Sequence, residues 1–160
     1  MRILGVDPAL TVTGYGVIEA LKNKLAIVEA GIITTNAKVT IEQRLYKIHA
    51  CIIKIIQELK PEVLALEKLY AHYRHPTTAF YLGQARGVIC LACAQEGIAL
   101  VEYAATRIKK AVVGSGQASK SQVQRMVADI LNLGCLPKYT DATDALALAI
   151  AHSYIMRVKL

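Results

Sequence analysis

Apolar residues recur along this chain with two different periods. Residues 2–6, 14–20 and 25–34 are short apolar runs with close spacing, and they read as three strands of an antiparallel meander. From Thr40 the period becomes helical. Ile41, Leu45, Ile48, Ile52, Ile55, Ile56 and Leu59 share one face, Thr40 and Gln43 offer a capping box, and Pro61 ends the run. Residues 63–66, VLAL, form a continuous apolar run of the kind buried in parallel sheets. A polar, aromatic loop, KLYAHYRHP, follows it, and then a helix predicted over 77–96 that stops at Gly97. Gly83 and Gly87 lie one turn apart within that helix. Each costs ~1 kcal/mol relative to alanine, so their placement points to a close backbone approach. A strand over 98–102 comes next, then helices over 104–112, 120–133 and 141–157, with Ser119 and Gln122 forming a second capping box. The order predicts one α/β domain over residues 1–160, with a five-stranded mixed sheet: an antiparallel meander plus two parallel strands, flanked by helices.

Two strands in this scheme end in a carboxylate. Asp7 closes the first and Glu67 the fourth. A charge at a buried strand tip is costly unless something pairs with it, and in open α/β sheets function gathers at the carboxyl ends of strands. The stretch TDATDALALAIAH adds Asp141 and Asp144, three apart on one face at a helix start, where the helix dipole tolerates them. Four converging carboxylates raise one another's pKa, and a hard divalent cation resolves the repulsion. Oxygen ligands select Mg²⁺ or Mn²⁺ over zinc, and two such ions ~4 Å apart can hold both the attacking water and the leaving oxygen of a phosphodiester. Each residue alone also has a structural reading. Asp141 and Asp144 could cap a helix, Asp7 a turn, and Glu67 could pair with Lys68 or Arg74.

Composition narrows the class. The chain is 54% hydrophobic and 19% charged, which excludes disorder. No apolar stretch approaches the ~18 residues of a membrane span, and the start is unlike a signal peptide. The expected compartment is the cytoplasm. The net charge is +7, and between Glu67 and Arg125 eight basic residues face three acidic ones. A basic region of this kind suits a polyanion such as nucleic acid, while a solvated basic surface is the bland alternative. Lys109, Lys120 and Arg125 are the expected phosphate-facing residues, Lys120 at a helix N-terminus whose amides also favour anions. Cys90 and Cys93 have CxxC spacing, but GVICLACA reads as buried helix with inert thiols.

The stretches ILGVDPALTVTGYGVI, LALEKLY, LGQARGV, EYAATRIKKAVVGSGQASKSQVQ and DATDALALAIAH, in order over nearly the whole chain, resemble RuvC-type Holliday junction resolvases of the RNase H-like nuclease superfamily. The resemblance implies that Asp7, Glu67, Asp141 and Asp144 are catalytic, metal-binding carboxylates for Mg²⁺. Lys109 and Lys120 match basic residues at the DNA and active site. Tyr70 falls where relatives often have a phenylalanine that touches junction bases. It further implies a homodimer that nicks four-way DNA junctions to leave 5′-phosphate and 3′-hydroxyl ends, in company with a branch-migration helicase. Relatives often carry Gly-Ser after the Asp-Pro, where this chain has Ala9-Leu10. Two other classes stay open at this stage. A phosphotransferase of the actin and sugar-kinase superfold also has an aspartate at a strand tip, but needs two lobes and a Gly-rich phosphate loop. A non-catalytic DNA-binding module would gain nothing from clustered negative charge.

Overall fold

The structure, a computed structural model, describes residues 1–22, 24–69, 76–135 and 137–157. Its sheet contains β1 (Arg2–Asp7), β2 (Val12–Ala20), β3 (Leu25–Thr34), β4 (Val63–Glu67) and β5 (Ala99–Tyr103), in the order β3-β2-β1-β4-β5. β1, β2 and β3 pair antiparallel, and β4 and β5 join in parallel. Helices α1 (Ile41–Leu59), α2 (Pro76–Glu96), α3 (Ala105–Val113), α4 (Lys120–Ile130) and α5 (Thr140–Arg157) complete the fold. The five-stranded mixed sheet expected from the sequence is the one observed. Among the described residues no helix is long and apolar enough to cross a membrane.

The strand period of two divides the core. Leu4, Val6, Val17, Leu64 and Leu66 point to one face, where they pack with Ile48, Ile52 and Ile56 of α1 and Ala85, Ile89 and Ala92 of α2. Ile3, Ile18, Val63 and Ala65 point to the other, against Ile108 of α3, Val123 and Val127 of α4 and Leu146 and Ile150 of α5. Both faces are covered, which explains why the parallel strand VLAL is apolar throughout.

Two local readings need correction. Thr40 occupies the N-cap of α1, but its side chain makes no capping hydrogen bond and the expected box with Gln43 is absent. Glu42, exposed in the first turn, is held below the usual carboxylate range, chiefly by the neighbouring Thr40 side chain. The α4 helix ends at Ile130, not 133. Asn132 takes a left-handed φ of 51°, the Asn132 amide donates to the Asp129 carbonyl, and the Leu133 amide donates to Ala128. This Schellman closure lets the apolar Leu131 pack inward without continuing the helix. The close approach expected at Gly83 and Gly87 is not made to the sheet: among the described residues, apart from the helix's own backbone, a Cβ at either position would meet nothing within 4 Å. The Ser119–Gln122 box of α4 is present in full.

The glycines that matter for packing lie in the sheet. Gly5 of β1 pairs with Gly16 of β2, and Gly14 pairs with Asp7. A Cβ on Gly5 would strike the Ala145 carbonyl, one on Gly14 the Asp141 carbonyl, and one on Gly16 the Leu146 side chain. Above this floor α5 presents Ala142, Ala145 and Ala149, all buried. Helix and sheet therefore meet backbone to backbone, which draws the first turns of α5 down onto the tip of β1.

Gly5→Ala is expected to lower folding stability by about 1–3 kcal/mol or more, because overpacking must lift α5. A urea midpoint equal to that of the wild type would show that α5 is not pinned at this point.

Candidate active site

Register and period together place the first two carboxylates. Ile3 pairs with Val63, Gly5 with Ala65, and the β1–β4 ladder ends at Val6 and Leu66. Asp7 and Glu67 lie one step beyond, at the tips of neighbouring strands. By the period of two, both belong to the face that α5 covers. Neighbouring strands lie ~4.8 Å apart, so their carboxylates start close. Asp7, Glu67, Lys109, Lys120 and Asp144 all line one cleft of about 330 Å³, whose apolar wall is Ile108, Val123 and Leu148.

The helix supplies the others. Asp141 lies in the first turn of α5 and Asp144 one turn further on. Asp144 reaches the cleft, where its Oδ2 accepts from Lys120 Nζ at 2.6 Å. Asp141 does not line the cleft, although its charge still bears on both Asp7 and Lys120. Lys120 is the first residue of α4, and the capping box fixes the turn from which it projects: Ser119 Oγ accepts from the Gln122 amide at 3.2 Å, and the Ser119 amide donates to Gln122 Oε1 at 2.7 Å. Lys120 remains 62% exposed, so its ammonium bridges solvent and carboxylate. Lys109 lies on the half-buried side of α3 and lines the same cleft. Arg125 is exposed on α4 and does not line it. Tyr70 lies outside the described residues.

Electrostatics reflect this crowding. Asp7 is pushed up to about 7, first by burial, then by Asp144, Asp141 and Glu67, with Lys120 pulling the other way. Glu67 also rises, through lost solvation and then Asp144, against the pull of Lys109 and Arg86. Lys120 rises in turn through its hydrogen bond to Asp144. The donor set fits a hard divalent cation, because the potential ligands in the cleft, Asp7, Glu67 and Asp144, are all carboxylates, and each raises or is raised by another's charge. The arrangement is open, not a closed cage. Among the described residues no three His, Cys, Asp or Glu side chains close on one point. Ala9 and Leu10 both lack a positive φ, so the turn after Asp7 makes no demand for glycine.

One neighbour was not foreseen from the sequence. Arg86 of α2 donates from Nη1 to the Glu67 main-chain carbonyl at 2.6 Å and pairs through Nη2 with the Glu102 carboxylate. Its only sequence signal was a position in LGQARGV, within a helix otherwise rich in apolar and small residues.

Comparison with known proteins gives a consistent picture. The family profile described as crossover junction endodeoxyribonuclease RuvC matches residues 3–152. The crossover junction endodeoxyribonuclease RuvC of Halothermothrix orenii is 44% identical over 158 residues, 99% of this chain and 95% of that protein. That of Paramagnetospirillum magneticum is 44% identical over 154 residues, 96% of this chain and 92% of that one. Among solved structures, Thermus thermophilus RuvC in complex with a Holliday junction substrate superposes with a TM-score of 0.94 at 29% identity, covering 99% of this chain and 96% of that one. The yeast mitochondrial Holliday junction resolvase shares the fold, with a TM-score of 0.68 at 11% identity, over 98% of this chain and 80% of that one.

Asp7 has a folded-state pKa of about 7 against an ordinary 3.8, so the metal-free folded protein holds an extra proton between those values. Its stability should therefore fall as pH rises across that window, by on the order of 2–4 kcal/mol, with Glu67 acting in the same direction. In EDTA, Asp7→Asn should flatten most of the slope and be the more stable protein above neutral pH. Parallel wild-type and Asp7→Asn stability curves would contradict the coupling.

Proposed function

The chain belongs to the RuvC family of crossover junction endodeoxyribonucleases, and on that footing we propose that it resolves four-way DNA junctions in recombination and repair by paired, symmetric nicks. The observation that carries this reading is the meeting of Asp7, Glu67 and Asp144 in one cleft beside Lys109 and Lys120. Clustered carboxylates repel a phosphate, and neighbouring ammonium groups attract it. A metal-dependent phosphodiesterase needs both, whereas a pure binding surface does not.

Divalent-metal dependence comes with the family. The finer proposal is two Mg²⁺ per site, with Mn²⁺ able to replace them. Asp7, Glu67 and Asp144 would hold them from the strand tips and helix, with Asp141 completing the set from the first turn of α5. When bound, such ions polarise the scissile phosphate and lower the pKa of a water. The chain's own residues do the rest. β1 and β4 hold Asp7 and Glu67 on rigid strand ends, so the ligands need little ordering. Lys109 and Lys120 neutralise phosphate charge as it builds. Arg125 extends the basic surface along the DNA, and Tyr70 stacks on a base near the crossover. Water oxygen adds to phosphorus as the P–O3′ bond breaks, which leaves 5′-phosphate and 3′-hydroxyl ends. We read residues 1–160 as a single nuclease domain. A branch-migration helicase partner rests on the family resemblance alone.

Two equivalent cuts need two sites, and α2 is the proposed contact between two copies. Phe80 and Leu91, 63% and 51% exposed, flank Gly83 and Gly87 at helical spacing. With nothing among the described residues beyond the helix's own backbone within 4 Å of a Cβ at either glycine, another helix could approach closely there.

Asp7→Asn should still bind a synthetic four-way junction in Ca²⁺. In Mg²⁺ its single-turnover cleavage should slow by on the order of 100-fold or more. Glu67→Gln and Asp144→Asn should follow it. Wild-type cleavage by Asp7→Asn would make this carboxylate a structural cap.

Gly83→Leu should shift the protein toward monomer in sedimentation equilibrium while leaving its secondary structure unchanged. A variant that stays dimeric at micromolar concentration would move the interface elsewhere.

A further inference from the structure

Glu67 is held by its sheet on one side only. Its last ladder partner is Tyr103 of β5, while the β1 pairing has already stopped at Leu66. The opposite side of this strand tip is met by Arg86, which arrives from α2, the helix on the other face of the sheet. The guanidinium fork spans two strands. One nitrogen binds the Glu67 carbonyl and another the Glu102 carboxylate, which lies across from Leu66 on β5. Its side chain is only 12% exposed, so the fork is set in packing and does not sway in solvent. Arg86 also lines a second cleft with Asp7, Pro8, Glu67 and Lys68, beside the first.

We propose that Arg86 is the positioning residue for Glu67: it fixes the main chain at the end of β4 and so aims the Glu67 carboxylate at the metal-binding cleft. A planar fork suits this task better than an ammonium, since its N–H groups point in fixed directions toward two acceptors at once. Glu102 holds the guanidinium in place. The carbonyl bond is the contact that fixes the Glu67 main chain, while the guanidinium charge also bears on its carboxylate. The inference rests on Glu67 being a metal ligand, and its test separates the two ideas.

The test uses the full-length protein and four variants: Arg86→Gln, Arg86→Lys, Glu102→Gln and Glu67→Gln. Three quantities are measured for each. They are Mn²⁺ affinity without DNA by electron paramagnetic resonance, junction affinity in Ca²⁺, and single-turnover cleavage in saturating Mg²⁺. Arg86→Gln should weaken Mn²⁺ binding about tenfold and slow cleavage between about 10-fold and 100-fold, as expected when the support of a metal ligand is removed. Its junction affinity should stay within about twofold, a split that a general loss of structure would not produce. Arg86→Lys keeps the charge and a donor for the carbonyl, guards against a folding failure of the glutamine variant, and should fall between it and the wild type. Glu102→Gln keeps an acceptor for Arg86 and should be milder than Arg86→Gln in both Mn²⁺ affinity and rate. Wild-type Mn²⁺ affinity and cleavage in both Arg86 variants would overturn the proposal. So would equal losses in Glu102→Gln and Arg86→Gln, which would make the arginine a simple tie between helix and sheet. If Glu67→Gln itself keeps full Mn²⁺ affinity and cleavage, the assignment of Glu67 as a ligand has failed, independently of Arg86.

Discussion

The seating of α5 on a floor without side chains is the constraint on which the site depends. Gly5, Gly14 and Gly16 remove the side chains that would otherwise hold α5 away from the sheet. Buried alanines on the helix do the same from above. The approach has an energetic cost, since glycine in a strand loses packing and adds chain entropy. What it gains is position. The first turns of α5 come down beside the tip of β1, and the charge of Asp141 and Asp144 then bears directly on Asp7.

That proximity creates the electrostatic character of the cleft. Asp7 holds its proton near neutral pH because it is buried and faces like charge from two elements. The same field draws Lys120 onto Asp144, and the capping box of α4 makes this possible without a long search by a flexible side chain. In the absence of metal the lysine offsets part of the excess negative charge. In the proposed function it stands ready beside an incoming phosphate. Open ligands and a nearby ammonium belong together: the lysine offsets part of the repulsion that a bound cation would otherwise relieve.

Helix α2 serves the molecule on two sides. Ala85, Ile89, Ala92 and Cys93 bury one face against the sheet, and Arg86 reaches from that side to the end of β4. The opposite face carries Gly83 and Gly87 beside exposed apolar residues. In the proposed dimer, the helix that joins the copies is also the one that steadies Glu67.

The sequence by itself determined the element order and the mixed sheet, and it drew attention to the four acidic residues. These are encoded locally: strand and helix periods set the elements, and an acid at the end of an apolar run stands out because burial of charge is costly. Helix ends were legible where a stop residue acts alone, as at Pro61 and Gly97, and less so where geometry chooses among donors, as in the end of α4 at Asn132 and the missing capping bond at Thr40. Only the tertiary structure decided which glycines carry the packing. Gly83 and Gly87 drew attention because they are unusual within a helix, yet Gly5, Gly14 and Gly16 receive α5 from a segment more than a hundred residues away. It also decided that Asp141 stands back from the cleft while Asp144 enters it, and that Arg86 ends at the Glu67 carbonyl. Those outcomes depend on how far one element slides over another, and sequence period fixes a face, not a distance.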